Sequence, residues 1–483
     1  MSWSSYTVLD RHQKEWDELD TSAVVPAVLL MVCVCYTLSN LHAFLETRAK
    51  SIPKHRKACG SWPSPVTASY LTDDCVKIMP SELRCDPDGK HVYWVEERPT
   101  EGGRHVSMKW IGYGCLKNSR EDETPEGYGA RTRVHEYGGG SHEPYEGGVI
   151  FSNTSDQQLY QTIPDNEVGG KEVMQLTKDL NCRYADGAVD TSRARRSHLG
   201  SWIDAEFVCV RENHAVDTPT GVVNEVVSVN LTSGAVRVVT SGRDFYACPR
   251  VSPDGNWIAY VSWDHPTMPW DTTELRVDRL NPETGESMFS RLVIPGGREA
   301  VQQPAWSPAG VLHFISDREG WYNVYCLDVD LDGWTTIAAG DRGVIKCVLP
   351  VDADCGRAPW QLGQRTYGFL TDSCVAVIAV DSAGEADVII VPPLPDITTE
   401  PRRLRKEYWS KGFDYVQNLP FPKSISAIVC PTVGRKDVIF VGGSNDRPDA
   451  IFLFHTEMGA STANSTPFVT KGKGKKGKKG GKA

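Results

Sequence analysis

Arg131, Arg133, His135, Glu136 and Tyr137 crowd into one short stretch of the chain. An arginine fork suits a carboxylate or a carbonyl, a glutamate takes a free amine, and a histidine moves protons near neutral pH. Such a string suits a loop that holds a peptide. It reads equally well as a strand end, with the Gly138-Gly139-Gly140 run permitting a sharp bend and His135 and Glu136 bonding internally. Asp264, His265, Trp270 and Asp271 form a second group within SWDHPTMPWDTTEL. Long loops on rigid scaffolds carry binding residues, while Asp and His before Pro are also ordinary turn formers. No Ser in a nucleophile context accompanies Asp264 and His265, so a triad is not read there. Asp317 and Arg318 read as a structural pair at a hairpin. The Gly442-Gly443 pair is no phosphate cradle, because strand-like runs flank it and no helix start follows. The fourteen cysteines are scattered singly, with no C-x-x-C pair and no Cys/His cluster at zinc spacing. Neither a metal nor another cofactor is expected.

The elements that must position these residues are short strands separated by Gly, Asp and Pro turns. The clearest unit is RVSPDGNWIAYVSWDHPTMPWDTTELRVDRL, Arg250 to Leu280. Its Pro253-Asp254-Gly255 turn uses the positive φ that Gly allows, WIAYVSW alternates as a strand, and ELRVDRL follows as the next. Six further units share this grammar, beginning near Cys85, His135, Tyr184, Pro304, Tyr367 and Ser424. A single unit cannot bury both faces, so neighbours must stack. A spacing of roughly 40–60 residues suits four-stranded blades closed into a ring. The expected fold is therefore all-β, a seven-bladed β-propeller over residues 59–458.

The chain has 483 residues, 40% hydrophobic and 24% charged, with a formal charge of −10. That is ample for a core. Lys471 to Ala483 holds seven Lys and no acid. Residues 459–483 thus read as a disordered basic tail, open to weak anionic contacts. The remaining acidic body excludes non-specific nucleic-acid binding. Residues 1–58 read as a short helical extension. Its apolar run Ala23–Leu38 contains Pro26 and, at sixteen residues, falls short of the roughly 20 that span a bilayer. A membrane is accordingly not expected as a partner. Single, mostly buried thiols suit a reducing compartment and point to the cytoplasm. The alternative is an anchor at Ala23–Leu38 with the propeller on the cytoplasmic side.

Several strings carry a resemblance. GSWPSPVTA (Gly60–Ala68), ARTRVHEYGGG (Ala130–Gly140), IFSNTSDQQLYQ (Ile150–Gln161) and RYADGAVD (Arg183–Asp190) are similar to the propeller half of the prolyl oligopeptidase family of serine peptidases. GRDFYACPRVSPDG (Gly242–Gly255), SWDHPTMPWDTTEL (Ser262–Leu275) and WSPAGVLHFISDREGWYNVY (Trp306–Tyr325) point the same way. The branch most resembled holds acylaminoacyl peptidases and related dipeptidyl peptidases.

The resemblance implies a propeller that gates an α/β-hydrolase domain carrying a Ser, Asp, His triad, its Ser in G-x-S-x-G on a strained strand-to-helix turn. Here only near misses occur, those at Ser141, Ser444 and Ser461 among them, and none closes with Gly. Twenty-five residues follow Met458, against the order of 250 that such a domain needs. No catalytic residue is carried over. The chain reads as the substrate-gating portion of a peptidase for short peptides, truncated or split from its hydrolase and inert alone. Its expected partners are short peptides or a separate hydrolase polypeptide, with Arg133, His135, Glu136, Tyr137, Asp264, His265 and Trp270 as candidate contacts. The alternative is a non-enzymatic propeller that binds peptides or proteins through an exposed face.

Overall fold

A computed structural model describes residues 76–455, except 87–89, 112–118, 165–169, 198–201, 328–344, 373, 393–400, 404–421, 432–436 and 445–446. The N-terminal extension with Ala23–Leu38, the Gly60–Ala68 string and the basic tail therefore lie outside the described residues. Among the described residues no helix is long and apolar enough to cross a membrane. The only helical turn among them is the short one at Pro99–Glu101.

Seven antiparallel sheets follow one another along the chain, six with four described strands and the last with three. Each begins with its innermost strand. These are Lys77–Cys85, His142–Tyr145, Cys182–Asp190, Phe245–Val251, Val301–Trp306, Tyr367–Phe369 and Ser424–Val429. We number the blades I to VII in that order. The seven units read from the sequence are these seven blades, so the expected fold class is the observed one. A small ribbon of Arg195–Arg196 with Trp202–Ile203 is added to blade III.

The core is divided among the junctions between blades. Tyr93 and Val95 of blade I meet Val149 and Phe151 of blade II. Tyr367, Phe369 and Val375 of blade VI meet Ile315 and Val324 of blade V. The ring closes where Ile78, Val92, Trp94 and Val106 of blade I pack on Val429, Ile439, Val441 and Ile451 of blade VII. Because both faces of a blade are covered, Trp257–Trp263 is buried at all seven positions. This corrects the alternating pattern expected of WIAYVSW: period 2 shows only where one face meets water.

The inner strands are stitched at the axis. Blades III, IV and V each bulge at one residue, Asp186, Cys248 and Gln303, with φ of 53°, 52° and 53°. Such a backbone is strained for any residue but Gly, by about 1–3 kcal/mol. The bulge turns a side chain toward the next blade. Asp186 Oδ2 accepts the Cys248 amide at 2.9 Å, the Cys248 sulfur faces the Gln303 amide, and Gln303 Oε1 accepts the Thr366 amide at 2.8 Å. Elsewhere Glu82 of blade I accepts the Ser141 amide at 3.0 Å, and Gly140 O accepts the Asp186 amide at 2.9 Å. The Arg365 carbonyl accepts from Ile428 of blade VII at 2.9 Å. From blade VII back to blade I the described closure is apolar.

His142 extends this stitching sideways. Its Nε2 donates to the Glu82 carbonyl at 2.8 Å, leaving Nδ1 to accept from Ser107 Oγ at 2.8 Å. Burial, with Arg84 nearby, pushes its pKa from 6.5 down to about 3. The unfolded chain takes up this proton near pH 6.5 and the folded chain does not. The contribution is therefore complete above pH 6.5 and is lost as pH falls toward 3. In urea titrations, the stability advantage of the wild type over His142→Gln should shrink by about 2 kcal/mol between pH 7 and pH 5. A pH-independent difference contradicts a neutral buried imidazole.

Candidate functional site

Inner strands all run the same way, so an antiparallel meander returns two kinds of loop to the face where they begin. These are the links between blades and the links from second to third strand. Residues 123–141 and 348–366 are of the first kind, and 264–273 of the second. The two sequence-read groups therefore share one face, joined by a third loop that the sequence reading did not single out.

The 131–140 loop is rigid. His135 and Glu136 both have positive φ, as do Gly138, Gly139 and Gly140. The Arg133 amide donates to Gln157 Oε1 at 2.7 Å and the His135 amide to Glu212 Oε1 at 2.8 Å. The third loop crosses the axis to reach it. The Leu362 amide donates to Gly138 O at 3.0 Å, and Gly139 bridges Leu362 in parallel. A Cβ on Gly139 would lie 2.2 Å from Leu362 O, and its φ is 99°, so Gly is required there for close approach as much as for its backbone.

Each candidate has a definite place. His135 packs edge-on to Phe245 at 5.2 Å and Trp263 at 5.6 Å, and His265 meets Phe245 from another side at 4.9 Å. Burial lowers the pKa of His135 against the opposing charge of Glu212. Glu136 is engaged by Arg183 at 2.9 Å rather than free for an amine. Asp264 is engaged by Arg243 at 3.0 Å and accepts the Asp244 amide at 2.8 Å, a turn-holding role. The Arg133 guanidinium is exposed and makes no ion pair among the described residues. Tyr137 is 67% exposed and leans on Trp360, 47% exposed, at 5.2 Å. Met268 and Trp270 are 48% and 42% exposed on the neighbouring loop. The structure thus brings Tyr137, His135, His265 and Trp270 to one face, and commits Glu136 and Asp264 to internal pairs.

Beside Tyr137 lies a groove of about 180 Å³, lined by Lys77, Glu97, His105, Arg131, Tyr137 and Gln361 among others. Burial, with Arg131 nearby, pulls His105 from 6.5 to about 4, and its Nε2 has no hydrogen-bond partner among the described residues. Lys77, Arg131 and Glu97 give this groove both signs of charge, which suits a zwitterionic peptide end. Of these, the sequence reading named Arg131 and Tyr137. Lys77, Glu97 and His105 lie on strands of blade I, where nothing in their local pattern separates a groove residue from a sheet residue.

Beneath the crossing segment the axis is charged. Arg84 Nε and Arg365 Nη2 both reach Glu143 Oε2 at 2.9 Å, and Arg250 Nη2 reaches Asp186 Oδ1 at 2.7 Å. The sequence held one signal for this. Arg84 and Arg250 begin the same string, R-x-x-P-D-G, in blades I and IV.

No family model and no curated protein matches this chain. Solved structures do. Over 84% of this chain, a puromycin-hydrolysing peptidase from Mycobacterium tuberculosis is 28% identical with a TM-score of 0.64. A puromycin hydrolase, 24% identical with a TM-score of 0.65 over 85% of the chain, supports the fold. The propeller is of the kind carried by prolyl oligopeptidase-family peptidases. This chain spans 55% and 57% of the lengths of those two structures, the part that holds their propeller.

Replacing Gly139 by Ala adds a positive-φ penalty to a backbone clash and should cost about 2–4 kcal/mol in urea unfolding. Gly102→Ala, at φ of 69° with nothing near its Cβ, should cost about 1 kcal/mol. Equal losses at the two positions would mean that the crossing segment is not seated on Gly139.

Proposed function

We propose that this propeller is the substrate-gating part of a prolyl oligopeptidase-family serine peptidase acting on short peptides. The observation that carries the reading is the exposed apolar set Tyr137, Met268, Trp270 and Trp360 on the face where the inner strands begin. Apolar side chains gathered on one face mark a surface that another surface covers. The occupant proposed is an α/β-hydrolase domain whose substrate lies between the two, with the Lys77, Glu97 and Arg131 groove taking a peptide end. The likeness to a puromycin-hydrolysing peptidase supports this.

The crossing segment Gln361–Gly363 favours a route around the rim, because it lies across the axis at this face. A peptide then meets the catalytic domain at the edge of the ring. The present chain, holding no G-x-S-x-G, is expected to be inert by itself. The free thiols of the described cysteines suit a reducing compartment, and we place the protein in the cytoplasm on that ground.

The purified chain should take no fluorophosphonate label and turn over no aminoacyl or acyl-aminoacyl chromogenic substrate. It should bind tetrapeptides with a free amino terminus, and Arg131→Ala should weaken that binding about tenfold. Stoichiometric labelling with turnover contradicts the expected inertness. Peptide binding that Arg131→Ala leaves unchanged contradicts the role given to the groove.

A further inference from the structure

The second large space in the molecule lies on the axis, on the other side of the crossing segment. It measures about 420 Å³ and is lined from all seven inner strands, including Cys85, Glu143, Val189, Arg250, Gln303, Phe369 and Val429. Small-molecule sites of this size are mostly apolar with a few convergent polar groups. Val189, Val251, Trp306, Phe369 and Val429 supply the apolar wall, and Arg250, Arg365, Glu143 and Gln303 the polar groups.

The buried charges here are unevenly paired, with Glu82 engaged by the Ser141 amide. Arg84, Arg250 and Arg365 face Glu143 and Asp186, and the Asp186 pair with Arg250 leaves Arg84 and Arg365 to share one carboxylate oxygen. Arg84 is otherwise consumed, its Nη1 donating to the Ser81 and Leu83 carbonyls at 2.9 Å. Arg250 likewise spends Nη1 on the Asp186 and Pro249 carbonyls. Arg365 is different. Only its Nη2 is used among the described residues, its side chain is 27% exposed, and it lines the cavity. Asp86 at the rim is engaged by His91 at 2.5 Å. Burial, and the neighbouring guanidiniums Arg84 and Arg250, pull the pKa of Arg365 to about 10 against the pull of Glu143. This guanidinium shares its one carboxylate partner with Arg84 and keeps donors unspent among the described residues.

We propose that the axial cavity is a binding site for a small organic anion, a carboxylate or phosphate with an apolar body, whose headgroup is held by Arg365 beside the charge of Arg250 and whose body lies on Val251, Trp306 and Phe369. The planar donor fork of arginine fits such oxyanions in two-point contact. The site is separate from the groove and apolar set above, and it does not depend on the gating role.

Inorganic phosphate, phenyl phosphate and benzoate are suitable probes, titrated by calorimetry at constant ionic strength so that general screening is matched. Saturable binding should appear with phenyl phosphate or benzoate, tighter than with inorganic phosphate because only the former reach the apolar wall. Arg365→Met should weaken it at least about tenfold, and Val251→Phe, which fills the cavity without touching a charge, should do the same. Arg195→Gln, at a side chain 77% exposed and outside the cavity lining, should leave it unchanged. Preference for benzoate or for phenyl phosphate assigns the headgroup, and either upholds the site. Absence of saturable heat up to about 10 mM with all three probes overturns the proposal. So does binding that both Arg365→Met and Val251→Phe leave intact. Near-UV circular dichroism checks the fold of each variant, and Val251→Phe decides alone if Arg365→Met does not fold.

Discussion

A side-chain acceptor at the axis, turned toward the next blade's backbone amide, is the interaction on which the rest of this structure depends. Asp186, Cys248 and Gln303 can play that part only because their backbones are bent into a region that costs free energy. The offset comes from the hydrogen-bonded contacts that these side chains make at the axis. Asp186 accepts the Cys248 amide with one oxygen and the Arg250 guanidinium with the other. Arg250 holds the pKa of Asp186 below its ordinary value even though burial pushes it up. A carboxylate so placed is worth little beyond its own desolvation, yet its loss would strand a buried cation. The pair therefore fixes geometry more than it adds stability. Blades set at fixed angles in turn place the loops that share a face.

Those loops divide the axis into two environments. On one side, exposed aromatic and thioether side chains surround a shallow groove of mixed charge. On the other, the Arg250 and Arg365 guanidiniums and the Asp86 and Glu143 carboxylates line a walled space. The Gln361–Gly363 segment lies between these two environments.

Blade number, strand order and fold family were legible because they rest on local signals: turn triplets, apolar runs and strings such as ARTRVHEYGGG. The face shared by His135, His265 and Trp270 follows from the order of strands once a meander is accepted. The partners of Glu136 and Asp264 were not legible, for a physical reason. A charged side chain in a loop looks free in one dimension, while Arg183 and Arg243 come from elsewhere to occupy them. The axial stitching was hidden more deeply. An acid, a thiol and an amide fill one slot in blades III, IV and V, so no residue type repeats. The chemistry that recurs is a lone pair at a place.

The junction between blades VII and I differs from the others in kind. Its described contacts are Trp94, Val106, Met108, Val429, Ile439 and Ile451, with no axial hydrogen bond of the sort that ties the other blades. Apolar contact weakens on cooling, whereas hydrogen-bonded junctions lack that temperature signature. Among the described residues this junction therefore leans more on apolar contact, the contribution that weakens on cooling, than the stitched junctions do.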